Sequence, residues 1–144
     1  MITDQKIDRI VTKQVITVHV KQKLSYVNEI FRENMIHHIP VLDGKKPIGI
    51  ISTNDIFKLI YNIDMQDKRM VDTILDHNFT IADAMSKDLV TLSVSSTIKD
   101  AASILQFSTI HSIVITNKVG EFAGIVTSTD LIKYLLKKIN DSHM

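Results

Sequence analysis

One sequence pattern occurs twice in this chain, and it limits the possible folds more than any other feature. The first copy, HHIPVLDGKKPIGIISTND, covers residues 37–55, and the second, HSIVITNKVGEFAGIVTSTD, covers residues 111–130. Each copy contains an apolar strand, a turn with glycine, a second apolar strand and a segment typical of a helix start. Because a single hairpin is only marginally stable in water, the duplication predicts two half-modules that bury their apolar faces together.

The two copies stay in register well beyond the hairpins. Matched residues lie 74 positions apart before the turn and 75 positions apart after it. One added residue in the second turn explains the change, since surface loops tolerate insertions best. We therefore expect one repeat, with an N-terminal segment and a linker, at residues 1–70 and the other at residues 71–144. The matched residues are Lys13 and Lys87, Thr17 and Thr91, Val20 and Val94, His37 and His111, Gly49 and Gly124, and Asp55 and Asp130.

Apolar periodicity predicts a mixed α/β (α+β) fold with the order β-α-β-β-α in each repeat. Residues 62–78 are polar and indicate a linker with some helix. In the first repeat the pattern predicts a short helix or turn at residues 7–11, strands at 15–20, 39–42 and 47–51, and helices at 24–35 and 54–61, with Met35 on the apolar face of the first. In the second it predicts helices at 80–85, 98–107 and 130–139, a strand at 89–94 and a hairpin, followed by frayed residues.

Composition excludes several classes of function. The net charge is +1, with 17 basic and 16 acidic residues, so charge gives no case for nucleic acid or an anionic membrane surface as a partner. The absence of cysteine excludes disulfides, thiolate catalysis and cysteine-based zinc sites. No apolar run approaches the ~20 residues that a membrane span needs, and the N-terminus lacks a signal-peptide core. We therefore expect a cytoplasmic soluble protein.

The duplicated segments resemble a known family. The residues GIISTND (49–55) and GIVTSTD (124–130), each preceded by a strand that begins at a histidine, resemble the CBS domain. A tandem pair of these domains forms a Bateman module, and the resemblance extends from about Ile7 to Ile139. It implies two pseudo-twofold-related repeats packed through their sheets. Such pairs commonly bind adenosine nucleotides in the two clefts between the sheets.

The resemblance also implies which residues contact a ligand. A Ser or Thr and a His at each site would contact phosphate, an Asp would accept hydrogen bonds from the ribose hydroxyls, and two strands would line the adenine pocket. Helix N-terminal amides, hydroxyls and imidazolium groups suit a phosphate, and one carboxylate can accept both protons of a cis-diol. The residues are Thr17, His37, Ile39, Pro40, Ser52 and Asp55 in the first repeat, and Thr91, His111, Ile113, Val114, Thr127 and Asp130 in the second.

Ordinary structural roles compete with these assignments. Each Ser or Thr could be a helix cap, and each Asp could be a first-turn acid that stabilises its helix by ~0.3–1 kcal/mol. His37 and His38 have no third ligand at convincing spacing, so no metal site is predicted. No arginine lies in either motif, and the nearest cations, Lys58 and Lys133, are one turn into the helices and could point away. A triphosphate could therefore find too little positive charge.

Three functions remain open from the sequence. The favoured one is a regulatory, non-enzymatic protein that senses AMP, ADP or ATP, needs no cofactor, forms a homodimer and acts on an unidentified protein. The alternative is a ligand-free scaffold that dimerises through the leftover apolar faces of its helices. An enzyme, such as a nucleotide hydrolase with His37 or His111 as base, is disfavoured because no nucleophile, base and orienting group occur together, so no catalytic residue is predicted.

Overall fold

The computed structural model describes residues 4–61 and 70–142. Contacts divide the chain into two units, which we name the central unit (Ile16–Leu89) and the terminal unit (Met1–Val15 with Val90–Met144). Neither unit coincides with one sequence repeat. The residues before the first strand of the first repeat belong to the terminal unit, with the hairpin of the second repeat. The residues before the first strand of the second repeat belong to the central unit, with the hairpin of the first repeat. The division into residues 1–70 and 71–144 therefore stays a prediction about the repeats rather than a description of the contacts.

The central unit contains a three-stranded sheet with the order β1-β2-β3. Strands β1 and β2 are parallel, and β2 and β3 form an antiparallel hairpin with Gly44 at its turn, where φ is +61°. The apolar side of α1 packs on this sheet through Leu24, Val27 and Ile30, all buried. The elements are β1 (Val18–His19), α1 (Leu24–Glu33), β2 (His38–Asp43), β3 (Lys46–Ser52), α2 (Thr53–Tyr61), α3 (Val71–Asn78) and α4 (Ile81–Ala84).

An acidic residue of α3 caps the N-terminus of α1. Lys23, the residue before α1, offers no side-chain cap. The Asp76 carboxylate instead accepts hydrogen bonds from the backbone N–H of Ser25 at 2.9 Å and from its hydroxyl at 2.5 Å. Arg32 pairs with Asp72 at 3.0 Å on the same two helices. Polar contacts to Asp72 and Asp76 thus join α3, from the predicted linker, to the first long helix.

The terminal unit repeats the sheet arrangement with the order β4-β5-β6. Strands β4 and β5 are parallel and β5 and β6 are antiparallel. Its buried core joins α5 and the sheet to Ile7 and Ile10 from the start of the chain. The elements are a 3₁₀ helix (Ile7–Arg9), β4 (Thr91–Ser93), α5 (Ile98–Leu105), β5 (Ser112–Thr116), β6 (Phe122–Thr127) and α6 (Ser128–Ser142).

A leader segment lies against the last strand of each unit. In the terminal unit, residues 4–15 form the N-terminal leader, and Thr12 exchanges two backbone hydrogen bonds with Ile125, at 2.9 and 3.0 Å. A Cβ added at Gly124 would lie 2.5 Å from the carbonyl oxygen of Thr12, so only glycine permits this approach. In the central unit, Ser86 pairs with Ile50 in the same way, beside Gly49.

Several predicted elements differ from the structure in length or packing. The predicted strands at 15–20 and 89–94 are reduced to β1 and β4, because only those residues pair with a neighbouring strand. Met35 is not on the apolar face of α1, because the helix ends at Glu33 and the Met35 side chain is 100% exposed. Likewise α5 ends at Leu105, which leaves Phe107 exposed.

The final helix is longer than the sequence predicted. It begins at Ser128 and continues to Ser142, so residues 140–142 are helical rather than frayed. Leu131 and Tyr134 pack against the core, whereas Ile132 and Leu136 are exposed. Met65 and the rest of residues 62–69 lie outside the described residues. Within the described residues, no helix combines the length and apolar character required to cross a membrane.

Candidate functional site

Helices α2 and α6 each begin with a reciprocal pair of hydrogen bonds at the predicted ligand contacts. The backbone N–H of Ser52 donates to Oδ2 of Asp55 at 2.8 Å, and the N–H of Asp55 donates to the Ser52 hydroxyl at 3.1 Å. Thr127 and Asp130 make the same bonds at 2.9 and 3.1 Å. This is a capping box, which satisfies backbone donors at the helix start. The four side chains therefore have the structural role that the sequence left open.

The same box also begins α4 and α5. There Thr80 pairs with Asp83, and Thr97 pairs with Asp100. In both, the hydrogen bond from the backbone N–H of the Thr is the largest cause that lowers the pKa of the Asp below 3.8, followed by the bond with its hydroxyl. The spacing [Ser/Thr]-x-x-Asp therefore marks helix starts at four places in the described residues. What distinguishes Asp55 and Asp130 is their position directly after a hairpin.

The two candidate histidines lie beside these helix starts. The backbone carbonyl of His37 accepts a hydrogen bond from the N–H of Thr53 at 3.0 Å, and that of His111 accepts one from Ser128 at 3.2 Å. Both histidine residues are exposed. Within each unit, a histidine residue, a hydroxyl and a carboxylate thus lie at one end of the hairpin.

The remaining predicted contacts divide by their position on the strands. Ile39 and Ile113 belong to the two buried cores, so only their backbone could face a ligand. Pro40 and Val114 are the next residues along each strand and are also buried. They lie on the opposite face of each sheet, because successive side chains alternate.

The two threonines predicted on the first strands occupy different positions. Thr91 begins β4, is exposed and lies opposite Val114 in the pairing of β4 with β5. Thr17 is half-buried and precedes β1, which begins at Val18, so the prediction that it lies on a strand is wrong. The structure thus brings Thr91 to the strand predicted to line the second pocket.

A basic cavity of about 380 Å³ in the terminal unit includes Asp130 in its lining. Lys133, which the sequence left able to point away, lines the same cavity as Asp130. Sequence reasoning missed the other polar residues, although three of them lie four, seven and eight positions after Asp130 and therefore on the same helix face. We name this cavity the Asp130 pocket; its lining is Arg9, Ile10, Asp130, Lys133, Tyr134, Lys137 and Lys138.

Two contacts refine the Asp130 pocket. The Lys138 ammonium lies 5.6 Å from the centre of the Tyr134 ring, a cation–π contact. The Tyr134 hydroxyl is buried and has no hydrogen-bond partner among the described residues. The Thr12 hydroxyl lies 3.4 and 3.5 Å from the two carboxylate oxygens of Asp130, a long and therefore weak hydrogen bond. The N-terminal leader thus contributes to the surroundings of Asp130.

Known proteins share this sequence pattern and fold. The protein MJ1232 of Methanocaldococcus jannaschii is 28% identical over 137 residues, 95% of this chain and 42% of that protein. The chain thus spans less than half the length of that relative.

Two solved structures have the same fold. A CBS domain-containing protein from Bacillus anthracis str. Ames Ancestor matches with a TM-score of 0.79 and 22% identity, covering 95% of this chain and 96% of that one. CBSX2, solved in complex with AMP, matches with a TM-score of 0.74 and 17% identity, covering 92% and 97%. The family model of the CBS domain matches residues 7–62 and 81–137, which together form most of the sequence and include both repeats. This chain therefore belongs to the CBS domain family and consists of a tandem CBS pair.

Proposed function

We propose that this protein is a regulatory, non-enzymatic CBS pair that binds an adenine nucleotide, AMP, ADP or ATP. The observation that carries the proposal is the repeated group of histidine, hydroxyl and carboxylate at the start of α2 and α6. Each group combines a helix N-terminus, which favours a phosphate, with a carboxylate that can accept hydrogen bonds from a diol. CBSX2, which has this fold, was solved in complex with AMP, which supports the same class of ligand.

The capping boxes leave each carboxylate able to accept more hydrogen bonds. An ionised carboxylate offers about four lone-pair positions. Among the described residues, Asp55 accepts one hydrogen bond, at Oδ2, from the backbone of Ser52. Asp130 accepts one from the backbone of Thr127 and a weak one from Thr12. Capping and ribose binding are therefore compatible in the same side chain.

Nucleotide binding can be tested by calorimetric titration with AMP, ADP and ATP. We expect saturable binding, with one site lost in Asp55→Ala and the other in Asp130→Ala. Because either substitution also removes a helix cap, Asp100→Ala is the matched control, since it breaks an equivalent capping box that is not a predicted ligand contact. Loss of binding in Asp100→Ala as well would indicate general destabilisation. Absence of binding by all three nucleotides would contradict the proposal.

A homodimerising scaffold is the second candidate, and the exposed apolar side of α6 favours it. The Ile132 side chain is 63% exposed and the Leu136 side chain is 55% exposed. Single apolar residues are common on protein surfaces, whereas neighbouring ones can mark a site of protein–protein contact. On α2, Phe57 and Tyr61 are also exposed. Analytical ultracentrifugation should give a dimer that Ile132→Glu dissociates. A monomer at all concentrations would exclude this candidate, and a dimer that binds no nucleotide would favour it over the sensor.

The homodimer, the regulated protein and a cytoplasmic location all remain parts of this proposal. None of them follows from the fold of the two units. The same ultracentrifugation experiment tests the first. Copurification from the native host would identify a regulated protein, and cell fractionation would test the location.

A further inference from the structure

The positions that match between the two proposed nucleotide sites differ in charge. The Asp130 pocket contains four basic side chains and one carboxylate, a formal net charge of +3, although the whole protein carries only +1. Arg9, Asp130 and Lys133 of this pocket sum to +1, and the described positions of the central unit that match them hold Asp83, Asp55 and Lys58. That matched set has a formal net charge of −1. The difference comes from the sequence and does not depend on side-chain conformation.

The match of Arg9 with Asp83 is structural as well as sequential. Arg9 ends the short helix Ile7–Arg9 and Asp83 lies in α4, and both helices begin with a fully buried isoleucine. Both helices precede the leader residues, Thr12 and Ser86, that pair with the last strand of their unit. The two positions are therefore equivalent, and the sign of the charge is reversed between them.

Asp130 is the one carboxylate among the described residues that line the Asp130 pocket. Within the described part of the chain, Arg9, Lys133 and Lys137 form no ion pair, and Lys138 lies over the Tyr134 ring. Several like charges around a cavity raise the local concentration of anions and their rate of association. Lysines on a helix are often only a solvated face. Here, however, Arg9 also lines the cavity although it lies far from α6 in the sequence. The positive charge of the cavity therefore does not come from one helix face alone.

We propose that the Asp130 site selects an adenosine di- or triphosphate, whereas the Asp55 site takes an adenosine ligand with little negative charge. This proposal rests on the proposed function and adds a different ligand charge for each site. With the ribose on Asp130 and the first phosphate at the N-terminus of α6, the further phosphate groups would extend into the Asp130 pocket, which Lys133 and Lys137 line. The basic side chains would then pair with successive phosphate groups.

The test uses the full chain with one site removed at a time. In Asp55→Ala, which keeps the Asp130 site, ATP should bind at least tenfold more tightly than AMP, and the difference should shrink as salt is added because exposed charges are screened. In Asp130→Ala, which keeps the Asp55 site, ATP should bind no better than AMP or adenosine. Equal preferences in the two variants would overturn the proposal while leaving nucleotide binding itself intact.

A charge-matched pair of variants isolates the role of the lysines. In the Asp55→Ala background, Lys133→Gln with Lys137→Gln should weaken ATP binding about fivefold to thirtyfold, from two partly exposed ion pairs, and change adenosine binding little. Lys45→Gln with Lys46→Gln removes the same charge from exposed positions in the β2–β3 turn and at the start of β3, and it should leave ATP affinity unchanged. Equal losses in both double variants would show that only net charge matters and would overturn the proposal. If no nucleotide binds even the wild-type protein, the proposed function fails first.

Discussion

Substitution of Gly124 by alanine should detach the N-terminal leader from β6. The added Cβ would lie 2.5 Å from the carbonyl oxygen of Thr12 and 2.5 Å from Cγ1 of Val11. A backbone atom cannot swing aside as a side chain can, so the leader must move. Overpacking of this kind costs about 1–3 kcal/mol, and loss of the two hydrogen bonds between Thr12 and Ile125 adds about 0.5–1.5 kcal/mol each.

The free energy of unfolding should therefore fall by about 2–6 kcal/mol, which lowers Tm by roughly 5–20 °C for a chain of this size. Circular dichroism melting measures the shift, and hydrogen exchange of the Ile125 amide reports on the leader directly. Arg9 and Ile10 of the leader line the Asp130 pocket. When Gly124→Ala is added to Asp55→Ala, ATP affinity should therefore fall together with the exchange protection of the Ile125 amide.

Two other glycines provide controls for Gly124. Gly120→Ala also changes a residue with positive φ, at +84°, but the new methyl group would meet nothing within 4 Å. It should cost only the conformational penalty of about 1–2 kcal/mol. Gly49→Ala would bring a methyl group 2.5 Å from Sδ of Met85, a flexible side chain, and 2.9 Å from the Ser86 carbonyl, so its cost should be intermediate. If Gly124→Ala retained wild-type stability and protection of Ile125, the leader could not lie against β6 as described.

Three further predictions concern stability. Tyr134→Phe removes a buried hydroxyl without a partner among the described residues, so stability should stay unchanged or rise by about 1 kcal/mol in urea denaturation. A clear loss of stability would indicate an acceptor for that hydroxyl. Asp76→Ala removes the cap that Ser25 uses at the start of α1, and the same assay should show a loss of about 1–2 kcal/mol; no loss would refute a capping role. The bond from the Thr97 backbone lowers the pKa of Asp100, so its stabilisation is complete above pH 3.8 and is lost as pH falls through the folded-state pKa. Melting between pH 2 and 5 should show this loss in the wild type, and an unchanged slope in Asp100→Asn would contradict it.

Local signals in the sequence predicted most of the fold. Asp43-Gly44 between two apolar runs predicted the first hairpin, and the structure places Gly44 at its turn with positive φ. The sequence predicted a helix from residue 98, and Thr97 with Asp100 forms the capping box at that start. Such signals succeed because the interactions that they report join residues at most a few positions apart.

Contacts between distant residues could not be predicted in this way. The cap that Asp76 provides for α1 joins residues 51 positions apart, and no local pattern marks it. The pairing of Thr12 with Ile125 also depends on the folded topology, so the contribution of Arg9 to the Asp130 pocket was missed. The lysines on α6 were visible in the sequence, but the cavity that gives them a common target was not. Whether the candidate residues bind nucleotide stays a prediction.

The pairing of the N-terminal leader with β6 imposes an order on folding during synthesis. The central unit is continuous in sequence, so it can form once Leu89 has left the ribosome. The terminal unit must wait until residues near the other end have been made, because Ile7 and Ile10 find their buried positions only beside β5, β6 and α5. Until then Ile7 and Ile10 have no native partner. The N-terminal leader is thus made before the central unit but reaches its folded position after it, and a nascent-chain chaperone would have that interval in which to bind it.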